Sequence, residues 1–241
     1  VNGIPCKNTF ARVFAALEPE SFKQCFIQWV KSLQSMMNSV IAVDGKTLCN
    51  SLDKTTQTSA IHMVSAFATQ SRLVLAQQKV DAKSNEITAI PKLLDMLDLR
   101  GHIITIDAMG TQKIIAKNIV SNGGDYVLAL KGNQGTLNED IRLFLQTQLQ
   151  NNDVMIDRYE EYDKGHGRIE KRVCIVSSQI DWLSQKEDWV GLRTVAMIEE
   201  TQEKQGSKSI ERWFFISSLP ANAKSIASAV REHWLIENAL H

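Results

Sequence analysis

The sequence lacks the features of a membrane or exported protein. No apolar run approaches the roughly 20 residues of a membrane-spanning helix, and the first residues do not form a basic segment followed by an apolar one. These absences predict a cytoplasmic protein that has no membrane partner.

Cysteine pairs and net charge are also missing. The cysteines are neither closely paired nor near histidines at zinc-ligand spacing, which argues against a structural zinc site and favours buried free thiols. The 27 basic and 27 acidic residues cancel, so overall charge gives no argument for nucleic-acid binding. A DNA-binding surface would therefore require charges of one sign to be segregated locally.

The chain is long enough for a large domain with an insertion, and its apolar pattern changes along its length. Residues 1–38 are predicted to form a small helical N-terminal segment, because Phe10, Phe14 and Leu17 recur at helical spacing and a second such pattern follows Pro19. The preferred interpretation is a helical domain that packs on its own aromatic face. A pair of DNA-reading helices is the alternative.

Strands and helices alternate over residues 39–150. Three leading strands are followed by a helix, a strand, a helix and a strand, which is the order of a ribonuclease-H-like α/β fold, a mixed sheet flanked by helices. Residues 151–220 are predicted to be a β-rich insertion in which the polar stretches 181–188 and 199–208 separate the strands. Residues 221–241 are predicted to form a C-terminal helix that completes the core.

Two aspartates follow predicted buried strands. Asp44 comes after Val40–Val43 and precedes Gly45, and Asp107 comes after Ile103–Ile106. Such aspartates often only cap a following helix. The C-terminal helix adds a candidate, Glu237, which falls on the apolar side of that helix. A carboxylate that faces inward needs a partner, either a metal ion or His233 on the same helix.

Three carboxylates around one or two Mg²⁺ ions suit phosphodiester chemistry. Oxygen ligands at octahedral sites leave room for water and a substrate phosphate, and Mn²⁺ can substitute for Mg²⁺. A water nucleophile gives strand cleavage, whereas a DNA 3′-hydroxyl gives strand transfer.

Several motifs together resemble the insertion-sequence transposases of the H-repeat-associated kind, which belong to the DDE class. The motifs are Ile41–Lys46 (IAVDGK), Thr105–Gln112 (TIDAMGTQ), Asp125–Gln134 (DYVLALKGNQ), Gly165–Glu170 (GHGRIE) and Arg231–His241 (REHWLIENALH). They occur in order along nearly the whole chain. The resemblance implies a ribonuclease-H-like core with a β-rich insertion, and Mg²⁺-dependent cutting and joining of transposon ends with Asp44, Asp107 and Glu237 as metal ligands.

The sequence departs from the family pattern near that glutamate. Many relatives carry a tyrosine and an arginine where this chain has Val230 and His233. His233 could still contact a phosphate or a flipped base, although neutral histidine is a weaker phosphate partner than arginine. The chain begins at Val1 without an initiator methionine and ends at His241, so we expect a fragment or a decayed element.

Basic residues near these motifs are candidate contacts to double-stranded DNA. Lys46 follows Asp44, and Lys131 follows a strand that should end near the aspartates. A second cluster is predicted to lie on a hairpin and includes His166, Arg168, Lys171 and Arg172. The alternative for this cluster is a solvated hairpin tip, which neighbouring acidic residues largely neutralise.

Two other functions stay open at this stage. One is a catalytically inactive DNA-binding remnant of a transposase. The other is an unrelated Mg²⁺-dependent phosphohydrolase with Asp44 as nucleophile, although its commonest version has a second aspartate two residues later, where this chain has Lys46. A homodimer is expected on DNA, because paired transposon ends usually need two active sites.

Overall fold

The computed structural model describes residues 3–34, 39–47, 61–80, 85–151, 156–165, 168–204 and 207–239. A few side chains within these ranges, including those of Lys164, Arg168, Lys204 and Glu237, are not described. The chain divides into two compact units, Val1–Met37 and Asn38–His241.

The first unit contains two helices, α1 (Lys7–Ala16) and α2 (Pro19–Gln34), where two were predicted. Glu18 precedes α2, and its carboxylate accepts the backbone N–H groups of Glu20 at 3.1 Å and Ser21 at 2.6 Å. This is an N-cap arrangement, which satisfies donors that the first turn cannot pair internally. The ring of Phe14 packs edge-on against that of Phe22, with their centroids 5.9 Å apart.

The second unit is built on one nine-stranded sheet. Its strands in chain order are β1 (Val40–Thr47), β2 (His62–Ala68), β3 (Leu73–Lys79), β4 (Ile103–Ile106), β5 (Asp125–Leu130), β6 (Asp157–Gly165), β7 (Arg168–Ser177), β8 (Thr194–Lys204) and β9 (Ser207–Ser217). Their order across the sheet is β3-β2-β1-β4-β5-β9-β8-β7-β6. The strands β1, β4 and β5 pair in parallel, and all other pairs are antiparallel.

In the part of the second unit that the structure describes, four helices accompany the sheet, namely α3 (Glu86–Leu94), α4 (Lys113–Ser121), α5 (Gly135–Asn151) and α6 (Ala223–Ala239). The predicted ribonuclease-H-like mixed sheet with flanking helices is thus confirmed. Among the described residues, no helix is long and apolar enough to span a membrane. The finer division into core, insertion and C-terminal helix stays a prediction.

The prediction that residues 199–208 are a polar connection is wrong, because most of them belong to β8 and β9. Strand β6 was predicted only indirectly, as the first arm of the hairpin that carries the basic cluster, and no bounds were given for it. Both segments are polar because their cross-strand contacts include ion pairs, such as Arg212–Glu199. A buried strand would have apolar contacts at these positions. A hydrophobic pattern cannot reveal strands of this kind.

Helix α6 is the centre of the second unit's core. It contacts β1, β4 and β5 and also β6, β7 and β8, and so links the two halves of the sheet. Its buried residues Ile226 and Val230 share a cluster with Val40 of β1, Val127 of β5 and Cys174 of β7. The position of α6 relative to the first strand is therefore fixed by apolar packing.

Candidate active site

The two aspartates lie side by side at one edge of the sheet. Parallel β1 and β4 are in register up to the pair Val43 and Ile106, and the next residues are Asp44 and Asp107. Neighbouring strands are about 5 Å apart, so the two residues are adjacent in space. Both are half-buried.

Both aspartates belong to the sheet face that α6 covers. Ala42, two residues before Asp44, packs against Ile236 of α6. Thr105, two residues before Asp107, has its Oγ1 3.0 Å from Nδ1 of His233 in α6. Because side chains on a strand alternate between faces, Asp44 and Asp107 share the face of Ala42 and Thr105.

Helix α6 runs towards the aspartates. Its residue Glu232 lies near the start of β1, where its carboxylate accepts a hydrogen bond from the hydroxyl of Thr69. The same hydroxyl lies within hydrogen-bonding distance of the Val40 carbonyl. Ile236 lies further along, over Ala42. Residue 237 follows His233 by about one helical turn, which is about 5.4 Å, and Asp107 follows Thr105 by two strand residues, which is about 6.6 Å. Because these two distances are similar and His233 lies beside Thr105, residue 237 comes level with Asp107. The Glu237 side chain lies outside the description.

The loop after Asp107 is held by a compact set of hydrogen bonds. The backbone N–H of Gly110 donates to Asp107 Oδ1 at 3.0 Å. The hydroxyl of Thr111 donates to the carbonyls of Asp107 at 3.1 Å and Ala129 at 2.6 Å. A side chain at Gly110 would collide with Ile106, because an added Cβ would lie 2.3 Å from its Cγ2. This close packing fixes the direction of the Asp107 carboxylate.

A second loop braces the first. The sequence Lys131-Gly-Asn-Gln forms a 3₁₀ turn at Gly132–Gln134. Asn133 donates its side-chain N–H to the carbonyl of Ala108, and Gln134 donates to the carbonyl of Thr111 at 2.9 Å. Sequence analysis missed this role, because nothing local to residues 133–134 reveals that they reach the Asp107 loop.

On the opposite face, the end of β1 is held by a chain of polar contacts. Gly45 lies against the carboxylate of Glu86, which an added Cβ would approach to 2.3 Å. Oε1 of Glu86 is 2.6 Å from Nε2 of His62, and Nδ1 of His62 is 3.0 Å from Oγ1 of Thr47. The chain joins α3, β2 and β1 and so supports the strand end that carries Asp44.

Two of the predicted DNA contacts lie at the same edge. Lys46 is two residues beyond Asp44 on β1, so it belongs to the same sheet face. Lys131 directly follows β5 and is exposed. The structure therefore brings two lysines to the edge that carries the aspartates.

Two of the predicted hairpin contacts, Lys171 and Arg172, lie on β7 and are ion-paired. Nε of Arg172 is 2.6 Å from Oε2 of Glu200, and its Nη2 is 2.7 Å from Oε2 of Glu170. Lys171 is 3.0 Å from Glu160. Hydrogen bonds from Arg158 and then from Lys171 lower the pKa of Glu160 to about 2. His166 and the side chain of Arg168 lie outside the description, and DNA contact by all four residues stays a prediction.

The carboxylates present fit a divalent cation as far as they are described. Within the residues whose side chains are described, no group of three or more His, Cys, Asp or Glu side chains could hold a metal. Two adjacent aspartates are nevertheless the hard oxygen ligands that Mg²⁺ prefers, and the third candidate ligand, Glu237, is the one whose side chain is not described.

Comparison with known proteins gives concordant results. A family profile described as "Transposase DDE domain" matches residues 36–241. The chain is 46% identical over 223 residues to the "uncharacterized protein in dhlA 3'region" of Xanthobacter autotrophicus, covering 92% of this chain and 75% of that protein. It is 44% identical over 248 residues to the "H repeat-associated putative transposase YhhI" of Escherichia coli K12, covering 100% of this chain and 65% of that protein.

A third relative, the "putative transposase YncI" of Escherichia coli O157:H7, is 42% identical over 245 residues, which cover 100% of this chain and 63% of the relative. The chain thus spans slightly less than two thirds of the length of these two E. coli relatives. The matched profile extends over most of the chain and over every residue of the candidate site. The chain belongs to the family of transposases with a DDE domain.

Proposed function

We propose that the chain is the catalytic region of a DNA transposase, in which Asp44, Asp107 and Glu237 bind two Mg²⁺ ions and cleave and join DNA at insertion-sequence ends. The observation that carries this proposal is the parallel pairing of β1 and β4, which sets Asp44 beside Asp107. Asp44 lies within β1, which continues to Thr47, so it does not cap a helix.

The choice of Glu237 as third ligand rests on a comparison of the two acidic residues in α6. Glu232 already accepts hydrogen bonds from Thr69 at 2.5 Å and from Ser228 at 3.1 Å, at the far end of β1. Residue 237 comes more than one turn later, at the end of the helix that approaches the aspartates. Of the two, Glu237 is therefore the one in position to act with Asp44 and Asp107.

The chemistry follows from this arrangement. Bound Mg²⁺ would supply a nucleophile at neutral pH and stabilise the leaving oxygen. Hydrogen bonds within the loop of Gly110 and Thr111 keep the Asp107 carboxylate in a fixed orientation. The packing of α6 against Ala42 holds the helix that carries Glu237 in place. Lys46 and Lys131 would contact the phosphates that flank the bond to be cut. His233, whose ring lies between the backbone of α6 and β4, would be close to these phosphates.

A catalytically inactive DNA-binding remnant is the second candidate. It is favoured by Val230 and His233, which replace the tyrosine and arginine that the family resemblance leads one to expect. Val230 is buried in the core cluster, so it has no polar role near the site. Such a remnant would keep the fold and bind DNA but would not cleave it.

Cleavage of a supercoiled plasmid that carries the insertion-sequence ends tests the proposal. The chain is expected to nick or cut the plasmid at the ends with Mg²⁺ or Mn²⁺ and to be inactive in EDTA. Binding of the ends without cleavage would favour the remnant. Absence of both binding and cleavage would contradict both candidates. Two copies of the chain per paired-end complex are expected, which sedimentation of the DNA complex measures.

Replacing Asn133 by aspartate is expected to lower the cleavage rate by about 10- to 100-fold and to raise the Mg²⁺ concentration required, because groups that orient metal ligands contribute effects of this size. The change removes the donor to the Ala108 carbonyl, next to Asp107. The assay is the plasmid cleavage rate at a series of Mg²⁺ concentrations.

Asn122→Asp is the matched control, because Asn122 also donates its side-chain N–H to a backbone carbonyl, that of Asn118, at 3.0 Å on the surface. It should keep nearly normal activity and the normal Mg²⁺ dependence. Equal losses in the two variants would show that Asn133 does not position Asp107.

A further inference from the structure

The two hairpins of the β-rich insertion extend beyond the edge that carries the aspartates. Leu130, at the end of β5, pairs with Phe214 of β9, so residues 207–213 of β9 continue past that end. Strand β8 pairs with β9 as far as Lys204 and Ser207. At about 3.4 Å per residue, this projection reaches at least about 20 Å beyond the catalytic edge.

The β6–β7 hairpin extends equally far. Arg168, the first residue of β7, pairs with Lys204 of β8 on one side and with Gly165 of β6 on the other. Four strands therefore end together, and we call their last two cross-strand rows the platform tip. It consists of Lys164, Gly165, Arg168, Ile169, Glu203, Lys204, Ser207 and Lys208.

Positive charge is concentrated at the platform tip. Its eight positions include four basic residues and one acidic residue, Glu203. Closer to the core, the same strands carry acidic residues that are already paired. Glu170 and Glu200 hold Arg172, Glu160 holds Lys171, and Glu199 holds Arg212. The chain has no net charge, yet the platform tip is basic, because the acidic residues of these strands lie closer to the core and are paired there.

We infer that the platform tip binds the phosphate backbone of the DNA duplex away from the bond to be cut. This inference rests on the proposed function, and it extends the predicted contact by Arg168 and His166 to Lys164, Lys204 and Lys208. Successive base pairs of a duplex rise by about 3.4 Å along the helix axis, so a projection of about 20 Å corresponds to contacts at least about six base pairs from the catalytic edge. Lys46 and Lys131 would hold the near phosphates, and the platform tip the distant ones.

The test compares two fourfold variants of the whole chain. One carries Lys164→Gln, Arg168→Gln, Lys204→Gln and Lys208→Gln. The matched control carries Lys79→Gln, Lys92→Gln, Lys117→Gln and Lys224→Gln, four exposed lysines on other elements. Binding of a 30-base-pair duplex (roughly 100 Å long) that contains an insertion-sequence end is measured by fluorescence anisotropy in EDTA over a range of NaCl concentrations.

The platform-tip variant is expected to bind at least about tenfold more weakly, and its plot of log affinity against log salt should be shallower by about two to four, since each lost phosphate contact removes about 0.9 from the slope. The control should bind like the wild type. On duplexes trimmed to fewer than about six base pairs beyond the cut, wild type and platform-tip variant should bind alike.

Equal affinity and slope for the platform-tip variant and the wild type would overturn the inference while leaving the proposed function intact. So would an equal loss in the control. If the wild type bound no duplex at all, the proposed function itself would fail.

Discussion

Replacement of Asp107 by asparagine is expected to reduce Mg²⁺-dependent cleavage of insertion-sequence ends by about 10³-fold or more, because it removes a charged metal ligand that acts on the reacting phosphate. Asparagine keeps an Oδ1 that can accept the Gly110 N–H, so the loop should keep its shape. Asp44→Asn should have the same effect, since Asp44 is its neighbour on β1. The cleavage rate of the supercoiled plasmid measures both.

The control for this prediction comes from helix α6. Glu237→Gln is expected to abolish cleavage, whereas Glu232→Gln should cleave normally, because Glu232 is engaged with Thr69 and Ser228. Equal cleavage by the wild type, Asp107→Asn and Glu237→Gln would refute the assignment of the ligands.

Thermal unfolding provides a readout that does not need catalysis. Two adjacent carboxylates without a cation repel each other, so Asp107→Asn should be at least as stable as the wild type in EDTA. Mg²⁺ binds only the folded site and should raise the melting temperature of the wild type but not of the variant. Equal shifts in both proteins would contradict the proposed metal site.

The replacement of Arg172 by methionine is expected to lower the free energy of unfolding by about 3–5 kcal/mol, which is the usual cost of removing one partner from a buried ion pair. The side chains of Glu170 and Glu200 are each only 6% exposed and would lose this cation. Burial opposes protonation of Arg172, yet hydrogen bonding to Glu200 and the charges of the surrounding carboxylates raise the pKa of Arg172. Urea unfolding followed by circular dichroism measures the change.

Lys171→Met, one position earlier on the same strand, is the control. Lys171 and its partner Glu160 are 35% and 30% exposed, so this pair should contribute at most about 1 kcal/mol. A triple variant with Arg172→Met, Glu170→Gln and Glu200→Gln should recover much of the lost stability, because no charge is left uncompensated. Similar losses for Arg172→Met and Lys171→Met would show that burial adds nothing to the Arg172 pairs.

The two aspartates could be predicted from sequence because the buried part of each strand has a recognisable end, although β1 itself continues past Asp44 to Thr47. Asp44 is the first polar residue after Val40–Val43, and Asp107 follows Ile103–Ile106 in the same way. Their adjacency could not be predicted from those patterns alone, since it depends on the parallel register of β1 and β4. The family resemblance supplied that information indirectly, by naming the two residues as partners.

The charged residues of strands β6–β9 were harder to interpret, because many of their partners are distant in sequence. Arg172 is bound by Glu200 on the next strand, and the pairing depends on the register of β7 and β8. The local cluster of basic residues suggested a DNA contact there, although the guanidinium of Arg172 is already paired with carboxylates. The same register of β7 and β8 that places Arg172 beside Glu200 also pairs Arg168 with Lys204 at the platform tip. This pairing cannot be seen from the order of charges along the sequence.

The central position of α6 also bears on when the protein can become active during its synthesis. The apolar cluster that includes Val40, Val127 and Cys174 is completed by residues of α6. Among the helices that the structure describes, α6 is the last to be synthesised. The strands that carry the aspartates are made first but cannot be covered until that helix arrives, and such long-range contacts form slowly. A nascent chain would thus carry an incomplete form of the proposed metal site, so the proposed DNA cleavage would require translation of α6.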